Sequence, residues 1–321
     1  MNKKEIEENR KLQERIVALK KQHNVVLFAH NYQRPEIQEI ADVIGDSLDL
    51  ALKVRTYPAG TKILYPAVSF VAETAKILNP NAQIYFPVPD AQCPMAAFCP
   101  PNLLIQYKKE NPGIPIALYI NSTTEAKQYA DVIVTSSSAL EICKKIQKEF
   151  NAPKLGFGPD KNLGRYIQEQ TGIPLDIIPP QGHCYVHEKY TAADIHRFRE
   201  RFPHGKVIVH PECQKDVISN ADFTGSTTAM YKYIQEHQNE IIGIGTEQGL
   251  LDRAKHDFPN AQLYPLIDNG VCFTMKKFTL EVLEWTLQNL NDRTLLVEVP
   301  KEMAEKALKP INKMFELIGK K

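Results

Sequence analysis

Short apolar runs alternate with polar segments of helix length along most of the chain, and the runs sort into four sets of three. One set, at residues 25–30, 115–121 and 206–210, closes on the polar residues His30, Asn121 and His210. A second opens on Ala-Asp, at residues 41–47, 130–136 and 221–227. The third lies at residues 62–67, 154–158 and 241–246. The fourth leads into a cysteine: residues 80–85 precede Cys93, 175–178 precede Cys184 and 259–264 precede Cys272. Apolar runs this short, separated by crossover-length segments, predict buried parallel strands joined by helices. Four strands in each of three units predict an α/β chain of three repeated three-layer domains, each on a four-stranded parallel sheet.

The strongest mark of repetition is a hexapeptide. Pro80-Asn81-Ala82-Gln83-Ile84-Tyr85 returns as Pro259-Asn260-Ala261-Gln262-Leu263-Tyr264, and each tyrosine stands eight residues before its cysteine. The three cysteines are 91 and 88 residues apart, the period of one small α/β unit. The repeats are expected at residues 1–97, 98–187 and 188–321, with the C-terminal helix a candidate to pack on the first. Helical patterning is read at 2–22, where Ile6, Leu12, Ile16 and Leu19 make an apolar stripe for the first unit. Further helices are read at 48–56, 72–78, 192–202, 280–290 and 302–317, and 293–299 is a candidate for one more strand. Residues 94–102, rich in proline, link the first repeat to the second.

Composition narrows the class. A chain of 321 residues has room for two or three domains, and 43% hydrophobic with 24% charged residues is ordinary for a globular protein. A net charge of +1 argues against a dedicated nucleic-acid or membrane surface. No run of 18 apolar residues offers a membrane span, and the charged residues 2–22 carry no signal-type apolar core, so a cytoplasmic location is expected. Neither GxGxxG nor GxxxxGK[ST] occurs in the strand-end loops, which argues against a dinucleotide or P-loop site.

Six cysteines without a secretion signal point to metal binding or catalysis before disulfides. Cys93, Cys184 and Cys272 hold the repeat position; Cys99, Cys143 and Cys213 do not. Cys143 reads as a buried helical thiol, Cys99 as an alternative ligand six residues after Cys93, and Cys213 as part of a site wall. Ligands of open parallel sheets bind beyond the carboxyl ends of the strands. That edge collects His30, Tyr32 and Ser47 from the first repeat and Tyr119, Asn121 and Ser136 from the second. The third adds His210, Glu212, Ser226 and Thr227. Packed around a pseudo-threefold axis, the three edges would face one another and the cysteines would converge. Three thiolates without a CxxC pair are not a usual structural zinc set. They suit three corners of a 4Fe–4S cube, with one iron left open as a Lewis acid, and they also suit buried packing cysteines. His187, three residues after Cys184, reads as a group behind a ligand or at the surface.

With these residues in view, the chain closely resembles the quinolinate synthase family, iron–sulfur enzymes of NAD biosynthesis. The resemblance runs from His30-Asn31-Tyr32-Gln33 to Lys276-Lys277, through Gly45-Asp46-Ser47, Pro159-Asp160-Lys161-Asn162-Leu163-Gly164-Arg165, Val186-His187-Glu188-Lys189 and His210-Pro211-Glu212-Cys213. It implies a pseudo-threefold, three-domain fold and one 4Fe–4S cluster on Cys93, Cys184 and Cys272. The activity it implies is a transferase that condenses iminoaspartate with dihydroxyacetone phosphate to quinolinate, phosphate and water. An enzyme producing iminoaspartate would be the functional partner, with no nucleic acid and no membrane. Substrate contacts carry over to His30, Ser47, Tyr119, Asn121, Ser136, His210, Glu212 and Thr227, and the catalytic group to Tyr32, Glu212 and His210. Glu212 and Tyr32 suit proton movement, and the hydroxyls and imidazoles suit carboxylate or phosphate binding. Two departures from the family pattern, Ser69-Phe70-Val71-Ala72-Glu73 and Cys272-Phe273-Thr274-Met275, bear on the pocket wall and not on the ligand set. The rival classes are another cluster enzyme dehydrating a small polycarboxylate, and a metal-binding or sensing protein without turnover.

Overall fold

The computed structural model describes residues 3–320. Among them, β1 (Val25–His30), β2 (Val43–Gly45), β3 (Lys62–Leu64) and β4 (Gln83–Tyr85) form a parallel sheet in the order β2-β1-β3-β4. A second sheet takes β5 (Ile116–Tyr119), β6 (Val132–Val134), β7 (Leu155–Gly158) and β8 (Leu175–Ile177) in the order β6-β5-β7-β8. A third takes β9 (Lys206–Val209), β10 (Phe223–Thr224), β11 (Ile241–Gly245) and β12 (Gln262–Pro265) in the order β10-β9-β11-β12. One strand order thus recurs three times, as the apolar pattern predicts. The inner strands are apolar on both faces because helices cover both: Leu27, Phe28, Ala117, Leu118, Val207 and Ile208 are all fully buried.

The recurrent Ala-Asp has a structural cause. Asp42, Asp131 and Asp222 stand just before the second strand of their sheets and accept the backbone N–H of Leu27, Ile116 and Val207 at 2.7, 2.8 and 2.9 Å. Each also pairs with a base from the helix before the first strand of its sheet: Lys20 at 2.8 Å, Lys108 at 3.0 Å and Arg199 at 3.0 Å. A short carboxylate at this point satisfies an N–H of the inner first strand that lies just before its pairing with the second strand begins.

The chain folds as two compact units. One holds the chain up to Gln92 together with Val271–Val299; the other holds Cys93–Gly270 and the chain from Pro300 onward. In the first, the helix Lys3–His23 buries Leu12 and Ile16 and packs on the helix Leu280–Gln288, where Arg15 meets Glu284 at 2.5 Å. The segment 271–299, assigned by spacing to the third domain, therefore lies with the first sheet. The strand anticipated at 293–299 is a 3-10 turn, Arg293–Leu295, followed by a single antiparallel bridge between Leu296 and Tyr85. Asp292 explains it: its side chain accepts from Thr294 N at 2.9 Å and curls the chain before a ladder can form.

In the second unit, the helix Lys301–Leu317 packs on β6 and on the helices Thr124–Lys127 and Ala139–Phe150, so it covers the second repeat rather than the first. Its buried stripe, Ala307, Ile311, Met314 and Phe315, has helical spacing, and Lys313 pairs with Glu149 at 2.8 Å. Among the described residues no helix is long and apolar enough to cross a membrane.

Candidate functional site

Strand register turns the expected site residues into three equivalent sets. Pairing places Phe28 opposite Val43, Ala117 opposite Val132 and Ile208 opposite Phe223. Counting on from these pairs, His30, Tyr119 and His210 occupy one position, Tyr32, Asn121 and Glu212 a second, and Ser47, Ser136 and Thr227 a third. All nine stand at the carboxyl ends of the first two strands of their sheets. Ser47 and Thr227 open the helices Ser47–Val54 and Thr227–Glu236, whose N-caps Asp46 and Ser226 accept from Leu48 N and Asp49 N and from Ala229 N.

The cysteines share a local frame as well. The carbonyl two residues before each accepts the first N–H of the helix after the third strand: Ser69 N to Ala91 O at 2.9 Å, Lys161 N to Gly182 O at 2.8 Å and Gln248 N to Gly270 O at 2.8 Å. Each cysteine carbonyl accepts from a 3-10 turn that follows it, from Ala96 N at 3.0 Å, Glu188 N at 2.9 Å and Lys276 N at 3.1 Å. Cys93, Cys184 and Cys272 are in no disulfide and half-buried, whereas Cys99, Cys143 and Cys213 are buried. Burial pushes the Cys99 and Cys143 thiols up to about 12, and pushes Cys213 well up too. A metal needs the thiolate, so the donor chemistry fits a thiolate-held cluster at the repeat-position cysteines and disfavours the other three. Gly182 is required by space: a Cβ there would sit 1.9 Å from Pro159 O.

In the first unit, the loop after β1 is stapled to the turn after Cys272. Gln33 Nε2 donates to Met275 O at 2.9 Å, Arg34 donates to Lys276 O at 2.8 Å and to Phe278 O at 3.0 Å, and Lys276 Nζ returns to Tyr32 O at 2.5 Å. Tyr32 N donates to His30 Nδ1 at 3.1 Å, which leaves the hydrogen of a neutral imidazole on Nε2. The rings of His30 and Tyr32 meet edge to face at 4.9 Å.

In the second unit, β5, the loop after β9 and the turn after Cys184 bring Tyr119, Glu212, His187 and His210 together. Tyr119 Oη donates to Glu212 Oε1 at 2.6 Å, and Glu212 Oε2 lies 2.8 Å from His187 Nδ1 and 3.9 Å from His210 Nδ1. Glu212 N donates to His210 Nδ1 at 3.3 Å, the counterpart of the Tyr32–His30 bond. Burial raises the Glu212 carboxyl, but its electrostatic interactions with His210 and His187 and the hydrogen bond from Tyr119 outweigh it and hold the group below the ordinary range. Donor atoms of Cys184, His187 and Glu212 all lie within 4.8 Å of one another. The Cys93 turn reaches the same region through Phe98, whose ring lies 5.2 Å from that of His183. Asn121 and Ser136 are half-buried at the same edge of this unit.

His187, read from the sequence as lying behind a ligand or at the surface, is buried, and its Nε2 lies 2.9 Å from Thr246 Oγ1; two further residues, Asp160 and Asn162, had no role assigned from the sequence. Asp160, fully buried, accepts from Leu163 N at 2.7 Å and from Cys184 N at 3.0 Å, so one carboxyl caps a helix and holds the cysteine backbone. Burial and the charge of Glu212 push that carboxyl well above its ordinary range, against the backbone N–H groups of Leu163, Cys184 and Asn162. Asn162 Nδ2 donates to Glu188 Oε2 at 2.8 Å and Glu212 O at 3.1 Å. Asp160 and Asn162 lie in the Pro159–Arg165 stretch, whose density of turn and cap residues was the available signal.

Three repeated parallel sheets with imidazole, hydroxyl and carboxyl groups at one edge, and a cysteine beyond each fourth strand, define an α/β enzyme built by triplication. Residues 14–316 match the family NadA, quinolinate synthetase A protein. A quinolinate synthase of Thermotoga maritima is 45% identical over 304 residues, 95% of this chain and 99% of the relative. One of Thermococcus kodakarensis is 43% identical over 310 residues (97% and 99%), and one of Pyrococcus abyssi 42% identical over 304 (95% and 98%). The chain belongs to the quinolinate synthase family.

Proposed function

We propose that the chain condenses iminoaspartate with dihydroxyacetone phosphate to quinolinate, phosphate and water, on one 4Fe–4S cluster held by Cys93, Cys184 and Cys272. The observation that carries this reading is the shared frame of those three half-buried thiols, in a chain 45% identical to a quinolinate synthase. Bound on three thiolates, a cluster supplies one iron open to a substrate oxygen, a Lewis acid for dehydration.

The chain's own residues do the rest. His30 and His210, with Ser47, Ser136 and Thr227, offer N–H and O–H donors to the carboxylates of iminoaspartate or to phosphate. Glu212, held ionised, is the base that takes a proton during imine formation, and Tyr119 hydrogen-bonded to it orients the carboxylate. Tyr32 supplies a hydroxyl proton, and Asn121 an amide for a carbonyl or carboxylate. A cytoplasmic location and supply by an iminoaspartate-forming enzyme go with this reading.

The test is anaerobic reconstitution with iron and sulfide, followed by an assay for quinolinate. About four irons and four sulfides per chain with quinolinate formed is the expected result. A cluster without quinolinate points to another dehydration, and no cluster at all removes the ligand assignment.

A further inference from the structure

We infer that Asp160 is a positioning residue for Cys184, fixing the backbone of that cysteine so that its thiolate is in place before any cluster is bound. The inference rests on the reading in which Cys184 is a cluster ligand. Cys184 lies beyond the end of β8, where no strand ladder holds the chain. Its main chain is tied at both polar groups instead: the N–H donates to Asp160 Oδ2 at 3.0 Å, and the carbonyl accepts from Glu188 N at 2.9 Å. Asp160 Oδ1 accepts from Leu163 N at 2.7 Å and so caps the helix Lys161–Thr171. The start of that helix and the cysteine loop thus share one carboxyl through different oxygens.

Capping alone does not require a carboxyl here. Three helices elsewhere in the chain are capped by a single hydroxyl, from Thr123, Ser226 and Thr279. A hydroxyl would serve Leu163 as well and would cost less to bury than Asp160, which is fully buried. What only the carboxyl supplies is a second acceptor, and Cys184 N takes it. The neighbouring residues complete a seat for the cysteine loop. Lys161 N donates to Gly182 O at 2.8 Å, and Lys161 Nζ and Asn162 Nδ2 each reach the Glu188 carboxylate at 2.8 Å. A side chain at Gly158 would strike Ile178 O, and one at Gly182 would strike Pro159 O, so the two segments run backbone against backbone. In the first repeat the residue before the equivalent N–H, that of Ser69, is Val68, whose side chain has no acceptor. This position therefore gives the second cysteine an anchor that it does not give the first.

The experiment compares the parent with Asp160→Ser, which offers one oxygen and keeps the cap, and Asp160→Ala, which offers none. Three quantities are measured: iron release to a chelator from the anaerobically reconstituted chain, melting temperature, and amide hydrogen exchange at Cys184 in the cluster-free chain. Iron release is expected to be about 10–100-fold faster in both variants. The Cys184 amide should exchange about 10-fold faster in both, while the melting temperature of the Ser variant stays nearer the parent than that of Ala. Iron retained by Ser and lost only by Ala would leave Asp160 a helix cap alone, and overturns the inference. So does parental iron release in both variants, or faster release in Ser with the Cys184 amide unmoved. If the parent binds no cluster, the functional reading falls, and exchange in the cluster-free chain decides the positioning by itself. A Cys184 amide faster in Ser then supports it, and an unchanged one overturns it. Should the Ser variant not fold, Asp160→Asn, equal in size, replaces it, with one oxygen for two N–H groups. Iron release must then be fast where the Cys184 amide is freed and slow where it is held; the opposite pairing overturns the inference.

Discussion

Six thiols, alike in composition, part company once their surroundings are known. Cys99, Cys143 and Cys213 are sealed in apolar packing that disfavours the thiolate, whereas Cys93, Cys184 and Cys272 stand half-open in the same backbone frame. Replacing any of the latter by Ala should abolish a stable cluster, read as iron and sulfide after anaerobic reconstitution. Cys143→Ala, which removes one buried sulfur from a helix, should keep parental iron content and lower stability by about 1–2 kcal/mol. Retained iron in Cys184→Ala would contradict the assignment. A second prediction concerns Glu212→Gln, which preserves shape but removes the base. Turnover should drop about 100- to 10,000-fold while the cluster's absorption persists. The nine strand-end residues were legible from spacing because register repeats with the strands. His187, Asp160 and Thr246 were not, because their partners lie 25, 24 and 59 residues away in the chain and no period links them. A lone buried histidine carries no pattern until the fold supplies its neighbours.

At the scale of elements, the three-times-repeated aspartate is the clearest stabilising device. Asp131→Ala should cost about 1–3 kcal/mol, since Ile116 N is left without its acceptor and Lys108 without its counter-ion. Its counterpart Asp222 gives a pH test. Burial raises its carboxyl, but the Val207 N–H and Arg199 outweigh that and hold it below the ordinary value. A folded-state pKa below the unfolded one means stability present above about pH 4 and lost as pH falls through the folded value. The melting temperature of the parent should therefore fall more steeply between about pH 5 and pH 3 than that of Asp222→Asn. Equal slopes would show that Asp222 is not a source of acid sensitivity. Every strand of the three sheets was legible, since fully buried parallel strands leave continuous apolar runs. The strand expected at 293–299 and absent there shows the limit of that signal: Leu295, Leu296 and Val297 look strand-like, yet Asp292 and Thr294 impose a turn.

For the whole molecule, the partition into units matters more than the partition into repeats. The first sheet is finished by Val271–Val299, which supplies the helix against Lys3–His23 and the bridge to Tyr85. Leu283→Ala, at a fully buried position of that helix, should destabilise by about 2–5 kcal/mol. Hydrogen exchange should show the added opening in Lys3–His23 and β1, with β5 and β9 much less affected; a uniform increase would mean the two units open together. Sequence periodicity could not show this crossing. Repeats advertise what is alike in each copy, and 271–299 is what the other copies lack.

That crossing sets a timetable for the chain as it is made. The first sheet leaves the ribosome early, yet its covering helix and bridging segment are encoded behind the whole of the other two sheets. At about 5–20 residues per second, the roughly 200 residues between Gln92 and Val299 take about 10–40 s to appear. During that interval the apolar stripe of the N-terminal helix, with Leu12 and Ile16, lacks its partner Leu280–Gln288. The part of the molecule born first is therefore the part completed late. Slowed elongation would lengthen its exposure to chaperones and proteases, while the stretch from Cys93 to Gly270 needs to wait only for its last helix.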